Sequence, residues 1–328
     1  MTKPNIRSHE WQDYWPLPVV AALGYTASVL HMYSFGPFIG PLQAEFGWSR
    51  ASVSMGVSIA SFAGALLCVP MGLVVDRMGP RRVALVGVPI VACGFGLLGT
   101  ASGGIANWIA LWFVVALGGL AVQPTVWTSA VASRFEVSRG KALAITLAGG
   151  SVAAATLPIL SAWLIGAVGW RWAFHTIGLI WMFVIFPIVL IGFRGAHDAG
   201  GQNGGPHRSS SAVPGEPRVG LREGLRMPVL YKTMIAALFI AVTMIGLVVH
   251  FVPILTDQGV APLRAASVAS LIGVASICGR LGTGFLLDRF EGHWVGALGC
   301  LLPACVCLLL WDSAWIGLPA AAILLGLA

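Results

Sequence analysis

Charge is what this sequence has least of. Asp, Glu, Lys and Arg together make up 9% of its 328 residues, against roughly a quarter in a soluble globular chain. None occurs between residues 51 and 75, and none between 83 and 133. With 57% hydrophobic residues and a mean hydropathy of +0.87, there is too little polar surface to coat a water-exposed particle. The main solvent is therefore lipid. This excludes a soluble domain and indicates a polytopic membrane protein.

Other scarcities narrow the chemistry. The six cysteines (Cys68, Cys93, Cys278, Cys300, Cys305 and Cys307) all fall in apolar segments, without C-x-x-C or zinc-ligand spacing. They are expected to be small packing residues, and no metal or cofactor is expected. No Ser-His-Asp set or phosphate-cradling loop lies at one membrane depth, so no catalytic residues are assigned and the chain is not read as an enzyme. The net charge of +7 does not point to nucleic acid, because no basic stripe interleaved with aromatics exists. The first apolar segment is too long for a cleavable leader and reads as an uncleaved span.

What is present is a series of uncharged runs of membrane length. They are read as spans at 17–39, 51–75, 83–101, 107–132, 142–168, 172–193, 229–253, 265–287, 294–311 and 314–328. Trp11, Trp15, Trp108, Trp170, Trp172, Trp294 and Trp311 fall near span ends, as an interfacial belt should. By this reading, fifteen of the nineteen basic residues lie on one side, while Arg50, Arg171 and Arg264 lie on the other. The positive-inside rule then puts the amino terminus and the 194–228 segment in the cytosol, in a multi-pass protein of the inner (plasma) membrane.

Residues 194–228, rich in Gly, Pro and Ser, have linker composition. They divide the chain into an amino-terminal six-helix bundle (1–193) and a carboxyl-terminal bundle (229–328). The two repeat each other: Gly72-Leu73-Val74-Val75-Asp76-Arg77 is matched by Gly284-Phe285-Leu286-Leu287-Asp288-Arg289. By that repeat, two more helices should follow Ala328, so the second bundle is expected to be incomplete at about four helices.

The first of those stretches continues through Met78, Gly79, Pro80, Arg81 and Arg82. The pattern G-x-x-x-D-R-x-G-x-R-R resembles the signature loop of the major facilitator superfamily of secondary transporters. Three further stretches resemble its monocarboxylate and oxalate/formate-type branch: Phe35-Gly36-Pro37-Phe38 running to Trp48-Ser49-Arg50, Arg139-Gly140-Lys141 running to Gly169-Trp170-Arg171-Trp172, and His250-Phe251-Val252-Pro253 followed by Gly279-Arg280-Leu281-Gly282. The resemblance implies an all-α, pseudo-two-fold 6+6 helix fold working by alternating access. Two departures stand against the branch's proton relay. The first span starts with Glu10-Trp11-Gln12-Asp13-Tyr14-Trp15, and Ser276 occupies the place of an aspartate one turn before the helix-eight arginine.

Arg280 is the sharpest candidate. It sits about two turns inside span eight, preceded by an uncharged run from 265 to 279. A central arginine costs roughly 2.5–3.5 kcal/mol on insertion scales and persists only against water, a partner or a substrate. The repeat puts Cys68 at its counterpart position, so the charge belongs to one bundle. A planar guanidinium suits bidentate contact with a carboxylate, and the family resemblance implies that role.

No carboxylate falls inside any span, which favours an anionic passenger, a mono- or dicarboxylate, moved by proton symport or anion exchange. His31 and His250 are candidate proton-accepting or substrate-binding groups, with hydrogen-bonded interfacial histidines as the alternative. Gln123 and Thr146 are candidate cavity-lining groups, with interhelical hydrogen bonding the alternative. Gly72, Asp76, Arg77, Gly79, Arg81 and Arg82, with Asp288 and Arg289, are read as a cytosolic gate. The expected partners are a small organic anion, the lipid bilayer and protons, with no nucleic acid and a monomeric state. The second reading keeps the fold and assigns efflux of a drug or sugar.

Overall fold

The structure, a computed structural model, describes residues 6–195, 227–287, 289, 292–311 and 317–327. Among the described residues all regular structure is helical: α1 (Ile6–Tyr14), α2 (Pro16–Ser34), α3 (Ile39–Phe46), α4 (Arg50–Met78), α5 (Pro80–Leu97), α6 (Ile105–Ala121), α7 (Pro124–Ala132), α8 (Arg139–Ile180), α9 (Phe186–Gly192), α10 (Pro228–Asp257), α11 (Pro262–Leu287), α12 (Gly292–Trp311) and α13 (Gly317–Leu327). A backbone in hydrocarbon must satisfy its polar groups within the segment, and helices do so without an edge.

Seven described stretches are long and apolar enough to cross a bilayer. The longest, Arg139–Gly192 with 54 residues, is twice the necessary length. It breaks at Gly169, whose φ of 80° is left-handed, so the expected division between the fifth and sixth spans is observed. The expected first span is less apolar than those seven. Its helix, α2, has 19 residues and a length of about 28 Å, which still matches the hydrocarbon thickness.

Local chemistry sets the ends. The Ser49 hydroxyl caps α4 by accepting the Ser52 N–H at 3.1 Å. Gly79, with φ 84° and ψ 148°, is the single residue between α4 and α5, and Pro80 starts the next helix. The signature loop is thus a one-residue corner. The expected fourth span is interrupted: α6 ends at Ala121 and α7 begins at Pro124. The carbonyl of Val122 freed there accepts the Trp127 Nε1–H at 2.8 Å and also the Ser28 hydroxyl. Outside the spans, the Glu10 carboxylate of α1 accepts the N–H groups of Glu136, Val137 and Ser138, each at 3.1 Å. These bonds, Val137's foremost, hold its carboxyl below the ordinary value, and the anion sits at the positive end of α8.

Buried side chains form two clusters. One draws on residues 17–193 with Val249, and the other on residues 251–325. Trp108 does not belong to an interfacial belt. It is fully buried with Trp112, and its Nε1–H donates to the Val53 carbonyl at 3.2 Å. Nor do the cysteines pack inside: all six are free and exposed, because their helical positions point away from both clusters.

Candidate functional site

The segments before and after residues 196–226 meet along a ladder of α8 against α11. Adding a Cβ to Gly273 would drive it into the backbone of Ala155 and Ser151. One turn on, the Ser276 hydroxyl donates to Ser151 Oγ at 2.5 Å. One more turn on, Arg280 Nη1 donates to the Leu147 carbonyl at 2.7 Å. As residue numbers rise on α11 they fall on α8, so the helices are antiparallel. Arg280 makes the ladder's last hydrogen bond toward the signature-loop end. Seven residues separate it from Leu287, about 10 Å along the helix axis.

What surrounds the guanidinium decides its chemistry. The Gly149–Gly150 pair lets α2 come in beside α8, since a Cβ on Gly149 would strike the Ala22 backbone. A Cβ on Gly150 would lie 2.9 Å from the Tyr25 ring and 3.7 Å from Arg280 Nη2. Tyr25, Gly150 and Arg280 therefore converge from α2, α8 and α11. Tyr33, two turns further along α2, also lies within the electrostatic reach of Arg280. Neither phenol makes a hydrogen bond among the described residues, and no described carboxylate pairs with Arg280, which is exposed. A guanidinium has five N–H donors. One is spent on Leu147, and Nη2 lies beside Gly150 and the Tyr25 ring on an exposed side chain. This arrangement can neutralise one negative charge and hydrogen-bond its oxygens. Tyr25 and Tyr33 were missed in the sequence reading, although their spacing of eight residues keeps them near one face of a helix.

The other expected site residues are not gathered there. Thr146 is fully buried and donates to its own helix at the Ala142 carbonyl, 2.9 Å away, so it is a packing residue and not part of a cavity wall. Gln123 ends the interruption before α7 and reaches the Gly64 carbonyl of α4 at 3.5 Å. His31 packs edge-on against Trp112, ring centroids 6.3 Å apart, with Nδ1 buried and without a hydrogen-bond partner among the described residues. His250, its Nδ1 also without one among the described residues, lies within electrostatic reach of Arg50. Both histidines thus belong toward the end opposite the signature loop.

The expected gate is seen only in part among the described residues. Asp76, Arg77 and Arg82 are exposed and in no ion pair among the described residues. Arg81 donates to the Leu190 carbonyl at 2.8 Å, near the last turn of α9 within its own segment. Gly72 has open space where a Cβ would stand. Arg289 donates its backbone N–H to Leu286, and Asp288 lies outside the described residues.

The ion pair that does link the segments is at the other end. Arg50 Nη2 meets both carboxylate oxygens of Asp257, at 2.7 and 3.0 Å. Near it, Gly36 lies against α10, where a Cβ would stand 3.0 Å from the Val249 carbonyl. Beside it, Arg171 Nη2 donates to Glu45 at 2.6 Å and lies 4.3 Å from the Trp170 ring centroid. The Arg171 bond, then the Trp170 bond, hold the Glu45 carboxyl below the ordinary value. Packing follows the same polarity. On α10 the buried residues start at Val249, while Tyr231, Leu238 and Phe239 are exposed. On α4 the buried residues Val53, Gly56 and Val57 lie toward the Arg50 end, while Phe62, Leu66 and Val69 are exposed. Among the described residues, burial on these two helices is thus concentrated toward the Arg50–Asp257 end.

Residues 21–328 match the model of the major facilitator superfamily. The chain belongs to this superfamily. It is accordingly a multi-pass membrane protein with the facilitator fold. The MFS transporter asaE of Aspergillus flavus is 28% identical over 207 residues, 61% of this chain and 42% of that protein. The 4-hydroxybenzoate transporter PcaK of Pseudomonas putida is 24% identical over 295 residues, 81% of this chain and 64% of PcaK. The chloramphenicol resistance protein of Streptomyces lividans is 26% identical over 294 residues, covering 88% and 71%. This facilitator chain thus spans about 42% and 64% of the lengths of its first two relatives. In fold it matches the inward-facing, occupied structure of a bacterial homologue of the human lysosomal transporter Spinster. The TM-score is 0.67 at 19% identity, over 100% of this chain and 73% of that one.

Proposed function

We propose that this facilitator chain carries a small organic anion, a mono- or dicarboxylate, across the cytoplasmic membrane by alternating access, coupled to proton symport or anion exchange. The observation behind this reading is Arg280. It is a guanidinium two turns inside a span, with no carboxylate partner among the described residues, close to Tyr25 and within electrostatic reach of Tyr33. An arginine in that setting needs water, a partner or a substrate, and a passenger carboxylate supplies the negative charge that no described side chain does. PcaK, by its name, transports 4-hydroxybenzoate, a monocarboxylate, which fits the same chemistry. With Arg50–Asp257 paired and Asp76, Arg77 and Arg82 in no ion pair among the described residues, we assign this conformation to the inward-open state. The amino terminus, the 194–228 linker between two bundles and the signature loop are then cytosolic. The resemblance to the monocarboxylate and oxalate/formate branch and a monomeric state belong to the same proposal.

The test is uptake of radiolabelled carboxylates into proteoliposomes. Arg280→Ala and Arg280→Lys should each lower uptake at least tenfold while leaving the melting temperature of the detergent-solubilised protein nearly unchanged. Undiminished carboxylate uptake by Arg280→Ala would remove the assignment. The runner-up is export of a neutral or cationic solute, favoured by the similarity to the chloramphenicol resistance protein. Drug export that survives Arg280→Ala would select it.

A further inference from the structure

A partly open cavity, remote from Arg280, lies between the two segments at the Arg50–Asp257 end. Its volume is about 290 Å³. The amino-terminal segment contributes Gly40, Pro41 and Ala162 to its wall, and the carboxyl-terminal segment contributes Val252, Pro253 and Thr256. No charged residue lines it. The hydroxyl of Thr256 is already spent on the Pro253 carbonyl at 2.9 Å, so no side chain in the wall is left seeking a polar partner. Prolines make the wall stiff, and Gly40 leaves part of it open, with nothing within 4 Å of where its Cβ would be.

An apolar cavity of roughly 150 Å³ stays dry and accepts benzene. Twice that volume, with an uncharged and unspecific polar surface, fits a neutral molecule of two fused rings. The walls come from both segments, so they separate whenever that end opens. A ligand bound between them gains contacts in the closed state only, and differential affinity is what shifts a conformational equilibrium.

We propose that this cavity is a binding site for a small neutral aromatic molecule of naphthalene size, and that its occupancy holds the Arg50–Asp257 end closed. The binding half of this inference is independent of the anion assignment. The conformational half rests on the alternating-access reading above.

The experiment uses the full chain in nanodiscs with naphthalene as the probe. The wild type should show a melting temperature that rises with naphthalene concentration. The cavity-filling variants Gly40→Phe and Ala162→Leu should lose at least half of that rise. Bilayer partitioning of the probe is the same in all three, so it cancels. Equal rises in wild type and both variants, or none in wild type, overturn the site. A rise of the same size with decane overturns the aromatic assignment in favour of an acyl chain.

The state is read separately, by the distance between spin labels on Val137→Cys and Val229→Cys in a background without the native cysteines. Both positions are exposed at the signature-loop end. Naphthalene should enrich the longer distance, and Gly40→Phe should do so without ligand. Binding with an unchanged distance distribution overturns the conformational half. Neither arm measures carboxylate uptake, so failure here and failure of the Arg280 reading are distinguishable.

Discussion

The Arg50–Asp257 pair offers a test of how the two segments are held together. Its geometry is bidentate from one nitrogen, at 2.7 and 3.0 Å, but its side chains are 36% and 59% exposed. Exposed pairs contribute about 0.2–1 kcal/mol, and the two-oxygen contact places this one near the top of that range. Asp257→Ala should therefore shift the ratio of closed to open at that end by about fivefold. Asp257→Arg adds a repulsion of similar size, about 2 kcal/mol in all, or roughly thirtyfold.

Arg50→Asp with Asp257→Arg restores the attraction in reverse order and should return the ratio to within about threefold of wild type. The readout is the distance between spin labels at Ala51 and Ala261, both exposed beside the pair. Raising ionic strength from 0.15 to 1 M shortens the Debye length from about 8 to about 3 Å, so salt should shrink every one of these differences. If the charge-reversed double variant behaves like the worse single variant, the pair is not what links the segments. His250 lies within reach of Arg50. Its substitution by Gln keeps the size and removes the titration, so the single-variant shifts should persist in that background.

Other perturbations probe other links. Gly273→Leu inserts a side chain into the Ala155 and Ser151 backbone; overpacking there should cost roughly 1–3 kcal/mol, lowering the detergent melting temperature and abolishing uptake together. Gly79→Ala puts a Cβ on a residue with φ 84° and ψ 148°, a conformation costing roughly 1–3 kcal/mol for any residue but glycine, seen as a lower melting temperature. Glu10→Gln tests the anion on the amino end of α8. Its folded pKa is depressed below the ordinary 4.5, so its stabilisation is complete above that value and is lost as pH falls through the lower, folded one. The melting-temperature gap to wild type should be present at pH 7 and close below about pH 4.5.

Some of this molecule could be read directly from its residues. Uncharged runs of membrane length fix helices because hydrocarbon offers the backbone no other partner, so the spans, the corner at Gly79 and the break at Gly169 were legible. So was Arg280, because a charge inside such a run is expensive wherever the helix is placed. The interruption at Val122–Gln123 was not: Pro124 signalled a bend, but Ser28 and Trp127 come from elsewhere in the chain or the helix turn to satisfy the freed carbonyl.

Which polar residues share a site was decided only by the tertiary structure. The sequence makes Thr146 a candidate cavity-lining group alongside Arg280, yet it turns back to its own backbone while Arg280 crosses to α8. Tyr25 and Tyr33 carry no charge, so nothing in a one-dimensional reading marks them until Gly149 and Gly150 let α2 close on α8. The choice of paired end has the same origin. Charges at both ends are visible in the sequence, but that Asp257 meets Arg50 while Asp76 is in no ion pair among the described residues depends on how distant helices pack, a property that no local pattern encodes.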